Sequence, residues 1–206
     1  MICKMVKNIV FDFGGVLLTG DDNWLFSKET KNLLKVDNED LNKAWDFAWP
    51  DARSGKINED EFFRKFLQSL TGSFGSDLVL KLKSIYRKQA DGLDTLGLLP
   101  KLKRNYKIFA LTNVAKDWLL FKVNKFKLNN FFDLIISSCN EGVAKPNKEI
   151  FLSLIKKAKI NPGESVFIDN FERNIESARE LGFQTILFEN KEQMVKEMRN
   201  LGIEVS

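Results

Sequence analysis

The chain of 206 residues is long enough to bury a sizeable core, and its 44% hydrophobic and 29% charged residues are typical of a globular protein. Its formal net charge of +4 comes from lysines spread along the chain, so we expect no nucleic-acid partner. The sequence contains no histidine, which excludes Ser-His-Asp and Cys-His catalysis and any metal site with histidine ligands.

The first predicted element is a strand in "NIVFDF" (8–13), which is followed by the turn-forming pair Gly14-Gly15. Its only acid is Asp12. A carboxylate at the end of a buried strand loses solvation free energy unless a metal, a positive charge or hydrogen-bond donors meet it. Asp12 is therefore a candidate for a functional carboxylate.

Residues 20–91 show helical periodicity and no convincing strand. Three helices are predicted there: Asp40–Trp49, Asn58–Leu70 and Asp77–Ala90. Asn58, followed three residues later by Glu61, is typical of a capping pair at the start of the second helix. We interpret 20–91 as a small all-helical domain inserted after the first strand, and 1–19 with 92–206 as the core domain.

From about residue 93, short apolar runs alternate with amphipathic stretches. The runs predict strands over 106–112, 132–138, 165–170 and 183–188. The intervening stretches predict helices near 115–126, 147–159, 172–182 and 191–201. Strands with little polar alternation, separated by helices, indicate a parallel sheet covered on both faces. The predicted fold is α/β, a Rossmann-like core of three layers.

Polar residues follow four of the predicted strands at their carboxyl ends. They are Asp12, Thr112, Asn113, Lys145, Asp169 and Asn170. Taken singly, each fits an ordinary turn, helix cap or solvated side chain. Ligands of open parallel sheets bind beyond the carboxyl ends of the strands, so their shared position at one edge predicts a functional site.

In this order, Asp12, Thr112, Lys145-Pro146 and Asp169 resemble the four motifs of the haloacid dehalogenase superfamily, most of whose members are magnesium-dependent phosphatases. The resemblance extends from about residue 6 to residue 190. The stretches "FDFGGVL", "KPNKEIF" and "FIDN…NIESARELGF" are similar to the branch that contains sugar-phosphate and related small-metabolite phosphatases. The helical insertion resembles the cap of the first subfamily.

The resemblance implies a role for each residue at this edge. Asp12 would attack phosphorus and become an aspartyl phosphate, and Lys145 would neutralise charge on Asp12 and the phosphoryl oxygens. Thr112, through its hydroxyl, and Asn113, through its backbone N–H, would bind the phosphate. A magnesium ion would be held by a set of oxygen ligands from Asp12, Gly14, Asp169 and Asn170.

Two positions depart from the family pattern. Gly14 stands where most phosphatases of the family carry a second aspartate that protonates the leaving oxygen. Asn170 stands where relatives tend to carry an acid, so we expect weaker metal affinity. Loss of a general acid matters least for leaving groups of low pKa. Four aspartates are candidates to replace the missing general acid: Asp21, Asp22, Asp46 and Asp51.

Three functions remain open from the sequence. The first is a magnesium-dependent phosphatase of a small phosphorylated metabolite. The second is a catalytically impaired relative that binds a phosphorylated ligand or a protein partner, which Gly14 and Asn170 favour. The third is a metal-independent 2-haloacid dehalogenase, which needs no leaving-group acid but is disfavoured because Asp169 is retained.

Other residues receive structural interpretations. Trp45 and Trp49 are interpreted as core of the insertion, with substrate stacking as the alternative. Phe11 and Phe13 are interpreted as core and pocket wall. Cys3 and Cys139 form no CxxC pair, no apolar run is long enough to span a bilayer, and Met1–Met5 lack the apolar stretch of a signal peptide. We therefore expect a cytoplasmic protein without a membrane partner, and the sequence indicates no oligomeric state.

Overall fold

The computed structural model describes residues 5–71 and 74–205. It contains a sheet of five strands: β1 (Asn8–Phe11), β2 (Lys107–Thr112), β3 (Leu134–Ser137), β4 (Ser165–Asp169) and β5 (Gln184–Leu187). All neighbouring strands are parallel, in the order β3-β2-β1-β4-β5. The central strand β1 pairs on both sides, with Ile9 opposite Ile108 of β2 and Val166 of β4.

Ten α-helices accompany the sheet in the described ranges: α1 (Lys28–Leu34), α2 (Asn38–Arg53), α3 (Glu59–Thr71), α4 (Ser76–Gln89), α5 (Leu99–Leu102), α6 (Lys116–Lys125), α7 (Ser138–Glu141), α8 (Lys148–Ala158), α9 (Glu172–Glu180) and α10 (Lys191–Asn200). The predicted strands and the four predicted core helices all form. The parallel α/β fold expected from the sequence is therefore confirmed.

The sheet lies between two layers of helices, because successive side chains of each strand point to opposite faces. Val10 of β1 packs in the cluster that includes apolar residues of α8 and α9. Ile9 and Phe11 pack in the larger cluster with apolar residues of α5, α6 and α10. All four residues of β1 are buried, and those after Asn8 are apolar on both faces, which explains why the strand lacks polar alternation.

Helices α1 to α4 all lie in the segment between β1 and β2, as the helical prediction for 20–91 requires. The capping pair is confirmed: the Asn58 N–H donates to Glu61 Oε2 at 2.8 Å, and the Glu61 N–H donates to Asn58 Oδ1 at 2.9 Å. Helix α1 was not predicted. The division of the chain into a core domain and an inserted domain stays a prediction, and the segment 20–91 is called the helical insertion below.

Two sequence predictions concern the compartment of the protein. Across residues 5–71 and 74–205, none of the helices combines the length and the apolar character that a bilayer-spanning segment needs. Cys139 is a half-buried free thiol. Cys3 and the rest of residues 1–4 lie outside the described residues.

Candidate active site

A cavity of about 550 Å³ lies at the carboxyl ends of the strands. From the central strand β1, the chain continues to β2 and β3 on one side of the sheet and to β4 and β5 on the other. This reversal opens a crevice beside β1, which is where open parallel sheets bind ligands. The core side of the wall includes Asp12, Gly14, Asn113, Lys145 and Asn170, and the insertion side includes Trp45, Asp46, Trp49 and Arg53.

The centre of the site is one ammonium group between two carboxylates. Lys145 Nζ lies 2.9 Å from Asp12 Oδ1 and 2.6 Å from Asp169 Oδ2. All three side chains are buried. Burial of a charge is costly unless it is paired and hydrogen-bonded, and each of these charges has at least one partner of the opposite sign.

The charges in this cluster do not balance. The pKa of Asp12 is raised from 3.8 to about 6, mainly by burial and in part by the Asp169 charge, against the lowering effect of Lys145. Burial lowers the pKa of Lys145, but the charges of Asp12 and Asp169 more than compensate, so its pKa is raised above the usual value. Two carboxylates on one protonated lysine leave an excess negative charge. A divalent cation beside Asp12 would neutralise it.

Asp169 is enclosed by hydrogen-bond donors and does not line the cavity. Its Oδ1 accepts from the Phe171 N–H at 2.8 Å, and its Oδ2 accepts from Lys145. Asn174 Nδ2 lies 3.0 Å from each carboxylate oxygen. Asp169 therefore holds the Lys145 ammonium group in place from a position behind the cavity wall.

The loops after β2 and β3 are joined through Asn113 and Lys145. Asn113 Oδ1 accepts from the Lys145 N–H at 2.9 Å, and Asn113 Nδ2 donates to the Lys145 carbonyl at 3.0 Å. The Lys145-Pro146 peptide bond is cis. Thr112, at the end of β2, is buried and does not itself line the cavity. The Asn113 side chain therefore fixes the loop that delivers the Lys145 ammonium, a contact that the sequence did not reveal.

Asn170 provides the structural test for a bound cation. Its Oδ1 is buried and has no hydrogen-bond partner within the described part of the chain, although the residue lines the cavity with Asp12 and Gly14. Magnesium prefers carboxylate, carbonyl and amide oxygens, which are the groups these residues carry. In residues 5–71 and 74–205 no three His, Cys, Asp or Glu side chains gather around a common point. A metal here would therefore depend partly on neutral oxygens.

Gly15 makes room for the Asn170 side chain. Its φ of +79° lies in the left-handed region that favours glycine. A Cβ at this position would lie 2.5 Å from Asn170 Nδ2. The second glycine of the pair is thus required by backbone geometry and by the close approach of Asn170.

The four candidate substitutes for the missing acid differ in position. Asp21 also lines the cavity, but its side chain is only 8% exposed and lies 2.6 Å from Lys122 Nζ, and it accepts a hydrogen bond from the Tyr86 hydroxyl at 3.0 Å. Asp51 pairs with Lys65 and does not line the cavity. The other two are exposed and line the cavity, and no ion pair holds them in the described ranges: Asp22 and Asp46.

The insertion presents one face of helix α2 to the cavity. Trp45, Trp49 and Arg53 follow one another at intervals of four residues and all line the wall. The two indole rings stack with centroids 4.7 Å apart, and both also stack on Trp118. The tryptophans thus belong to the packed interior of the insertion and to the cavity wall.

Three other wall residues were not identified from the sequence: Arg53, Phe171 and Arg173. Arg53 continues the interval of four residues set by Trp45 and Trp49, which was a signal for its position. Phe171 and Arg173 closely follow Asp169-Asn170, which was a signal for theirs. Phe11 and Phe13 are fully buried, and neither lines the cavity. Their interpretation as core is confirmed, and their interpretation as pocket wall is wrong.

Comparison with known proteins gives a family and several relatives. A family model described as haloacid dehalogenase-like hydrolase matches residues 6–182. D-ribitol-5-phosphate phosphatase of Bacteroides thetaiotaomicron is 30% identical over 197 residues, which cover 90% of this chain and 93% of that protein. Flavin mononucleotide hydrolase 1 of Arabidopsis thaliana is 31% identical over 162 residues, which cover 77% of this chain and 64% of that protein.

Solved structures agree with the fold. A HAD family enzyme from Bacteroides thetaiotaomicron, crystallised as a magnesium complex, superposes with a TM-score of 0.79 at 25% identity and covers 95% of this chain and 100% of that chain. A structure from the same organism in complex with magnesium and inorganic phosphate gives a TM-score of 0.74 at 25% identity, covering 89% of this chain and 94% of that chain.

Proposed function

The chain belongs to the haloacid dehalogenase-like hydrolases, and we propose that it is a magnesium-dependent phosphatase of a small phosphorylated metabolite. The observation that carries the proposal is the pairing of Lys145 with Asp12 at the wall of a cavity that also exposes the loop Gly14-Gly15. A carboxylate and a fixed positive charge lie side by side there, which supports the proposed role of Asp12 as the nucleophile.

In the proposed reaction, a carboxylate oxygen of Asp12 attacks phosphorus as the bond between phosphorus and the ester oxygen breaks. The leaving oxygen takes a proton, and water then hydrolyses the aspartyl phosphate to restore Asp12 and release inorganic phosphate. Lys145 reduces the repulsion between Asp12 and the phosphate dianion in both steps. The Thr112 hydroxyl and the Asn113 backbone N–H are proposed as phosphate donors.

The Asp12 carboxylate, the Gly14 carbonyl and the Asn170 side chain would hold the magnesium ion, and Asp169 would act through Lys145, which it contacts. When bound, magnesium supplies charge neutralisation at the phosphoryl oxygens and orients the phosphate for attack. Two observations support this set of ligands: Asn170 Oδ1 is buried without a hydrogen-bond partner in the part of the chain that the structure describes, and the cluster around Lys145 has an excess negative charge.

Proton transfer is the open step of this mechanism, because Gly14 carries no acid. Asp22 and Asp46 are the cavity-lining carboxylates free of ion pairs in the described residues, so one of them, or solvent, would protonate the leaving oxygen. General acid catalysis contributes typically 10²–10⁴-fold. We therefore propose that the enzyme works best on esters whose leaving group has a low pKa.

The named relatives support a small phosphorylated substrate. One is named for D-ribitol 5-phosphate and another for flavin mononucleotide, both phosphate monoesters. The cavity volume of about 550 Å³ is within the range of small-molecule sites. The second candidate function, a catalytically impaired binding protein, is favoured by Gly14 and Asn170 and predicts phosphate binding without turnover. Dehalogenation is the least supported candidate because Asp169 is retained.

The test is hydrolysis of p-nitrophenyl phosphate by the purified chain with magnesium and with EDTA. We expect release of nitrophenol that requires magnesium and disappears in the Asp12→Asn variant. Asp77→Asn is the matched control, because Asp77 is exposed, distant from the cavity wall and undergoes the same change of charge. Binding of magnesium or phosphate without turnover would replace this proposal with the binding-protein function.

A further inference from the structure

We propose that the cavity contains a second anion-binding subsite, formed by Arg53 and Arg173, for an oxyanion at the far end of the substrate. The substrate class is then a phosphorylated acid or a bisphosphate. This inference rests on the proposed phosphatase function and deepens it. Its two arginines come from different parts of the fold, Arg53 from the end of α2 and Arg173 from the start of α9.

The two guanidinium groups lie on the wall of the same cavity and affect each other electrostatically. Arg53 is half-buried, and its pKa is lowered by burial and by the positive charge of Arg173. Arg173 is exposed, so solvent screens part of its charge, but two like charges on one cavity wall still raise the free energy of the site. An anion between them would remove that cost.

Within the described ranges, neither arginine has a partner that neutralises it: the Arg173 guanidinium lies over the Phe171 ring, 5.3 Å from the ring centroid, and this contact leaves its charge in place. Among the described residues, no carboxylate lies within ion-pair distance of Arg53 or Arg173, and neither guanidinium donates a hydrogen bond. Arg87 shows the contrast, because its Nη1 lies 2.6 Å from a carboxylate oxygen of Glu59. Guanidinium donors match the geometry of carboxylate and phosphate oxygens and often bind them through two hydrogen bonds.

The positive charges are separated from the acids of the same wall. Asp46 precedes Arg53 by two helical turns, which is about 10 Å along α2. Asp22 belongs to the loop after β1 and not to α2. Trp49 lies between Asp46 and Arg53 along α2 and lines the wall as well. Asp46 therefore does not neutralise Arg53.

Lys145 is already engaged by two carboxylates, so the arginines are the cationic side chains of the wall with unsatisfied charge. If the arginines bound the transferred phosphate instead, their removal would weaken the binding of all phosphate esters equally. If they bind a distal anion, their removal weakens only substrates that carry one. This difference makes the two possibilities experimentally separable.

The experiment measures binding by calorimetry to the full chain carrying Asp12→Asn, which prevents turnover, with magnesium present. The probes are D-ribitol 5-phosphate, D-ribonate 5-phosphate and D-ribitol 1,5-bisphosphate, which differ only in the group at the far carbon. Arg53→Gln and Arg173→Gln are compared in this background. The control is Arg64→Gln, an exposed arginine of the insertion outside the cavity wall.

We expect the acid and the bisphosphate to bind at least tenfold more tightly than the polyol ester, and each arginine variant to reduce that ratio about tenfold, the loss typical of one charge-assisted hydrogen bond. Arg64→Gln should preserve the ratio. If only the acid binds more tightly than the polyol ester, the subsite is assigned to carboxylates. If only the bisphosphate binds more tightly, the subsite is assigned to phosphates. Equal affinity for all three probes, a ratio unaffected by both variants, or no binding of any probe would overturn the proposal.

The phosphatase proposal is tested separately, by turnover of p-nitrophenyl phosphate with the native chain. If the native chain shows no turnover but the three probes bind with the expected ratio, the anion subsite stands and only the catalytic function is rejected. Turnover together with equal binding of the three probes would reject only the subsite.

Discussion

Asn174 Nδ2 lies 3.0 Å from both carboxylate oxygens of Asp169, so a single amide group spans the carboxylate. Asp169 in turn contacts Lys145, and Lys145 contacts Asp12. These four side chains form one continuous polar chain from helix α9 to the end of β1. The position of the ammonium group beside Asp12 therefore depends on a residue that does not touch Asp12.

The Asn174→Ala variant tests this dependence. It removes hydrogen bonds to a buried carboxylate, so we expect the free energy of unfolding to fall by about 1–3 kcal/mol, measured by urea denaturation. We also expect kcat to fall about tenfold, because Lys145 loses its fixed position, while KM changes less. Glu176→Ala, on an exposed position of the same helix, is the control. An unfolding free energy equal to that of the native chain would contradict the role assigned to Asn174.

Asp12 should destabilise the metal-free protein at neutral pH. Its pKa is raised from 3.8 to about 6 in the fold, chiefly by burial. The folded state therefore binds the proton more tightly than the unfolded state, and stability falls as pH rises from about 4 to above 6. In EDTA, Asp12→Asn should increase the free energy of unfolding by on the order of 2–3 kcal/mol at pH 8 and by little at pH 4. A pH-independent difference between the two proteins would refute this prediction.

Much of the fold could be predicted because the strands are buried on both faces. Each core strand is a short apolar run, and each is bounded by a helix of clear period, so the predicted limits lie within two residues of the observed ones. Helix α1 was missed because it has only seven residues and one buried side chain, Thr30. Helix α2 was predicted to end before Pro50, but it continues through that proline to Arg53. The cavity-lining position of Arg53 was hidden for this reason.

The core half of the site was predictable and the insertion half was not. Asp12, Asn113, Lys145 and Asn170 follow strands whose ends meet at one edge, so their proximity follows from the parallel sheet. The residues of α2 reach the cavity through the way the insertion packs on the core. The ion pair between Asp21 and Lys122, 101 positions apart, likewise depends on tertiary packing and has no local signal.

Asn170 should limit the affinity for magnesium. Its Oδ1, which has no hydrogen-bond partner among the described residues, would be a neutral ligand, and an Asn170→Asp substitution supplies a negative charge in a side chain of the same shape. We expect the magnesium Kd to decrease about tenfold, measured by calorimetry, since ligand charge governs affinity for hard cations. Asn140→Asp, outside the cavity wall, adds the same charge and serves as control. Unchanged affinity in Asn170→Asp would exclude Asn170 from the metal site.

Gly14→Asp should restore general acid catalysis. Gly14 is not in the left-handed region, and a Cβ there would lie 3.6 Å from Gly20 Cα, which is ordinary van der Waals contact. The Cβ of an aspartate is therefore accommodated at this position without a change of the backbone. We expect kcat on an alkyl phosphate such as D-ribitol 5-phosphate to increase at least tenfold, and turnover of p-nitrophenyl phosphate to change much less, because nitrophenolate leaves without a proton. Gly14→Asn is the matched control, since it has the same shape and transfers no proton. An equal increase in both variants would show that the gain is steric, and no increase in Gly14→Asp would show that Asp22, Asp46 or solvent already performs the proton transfer.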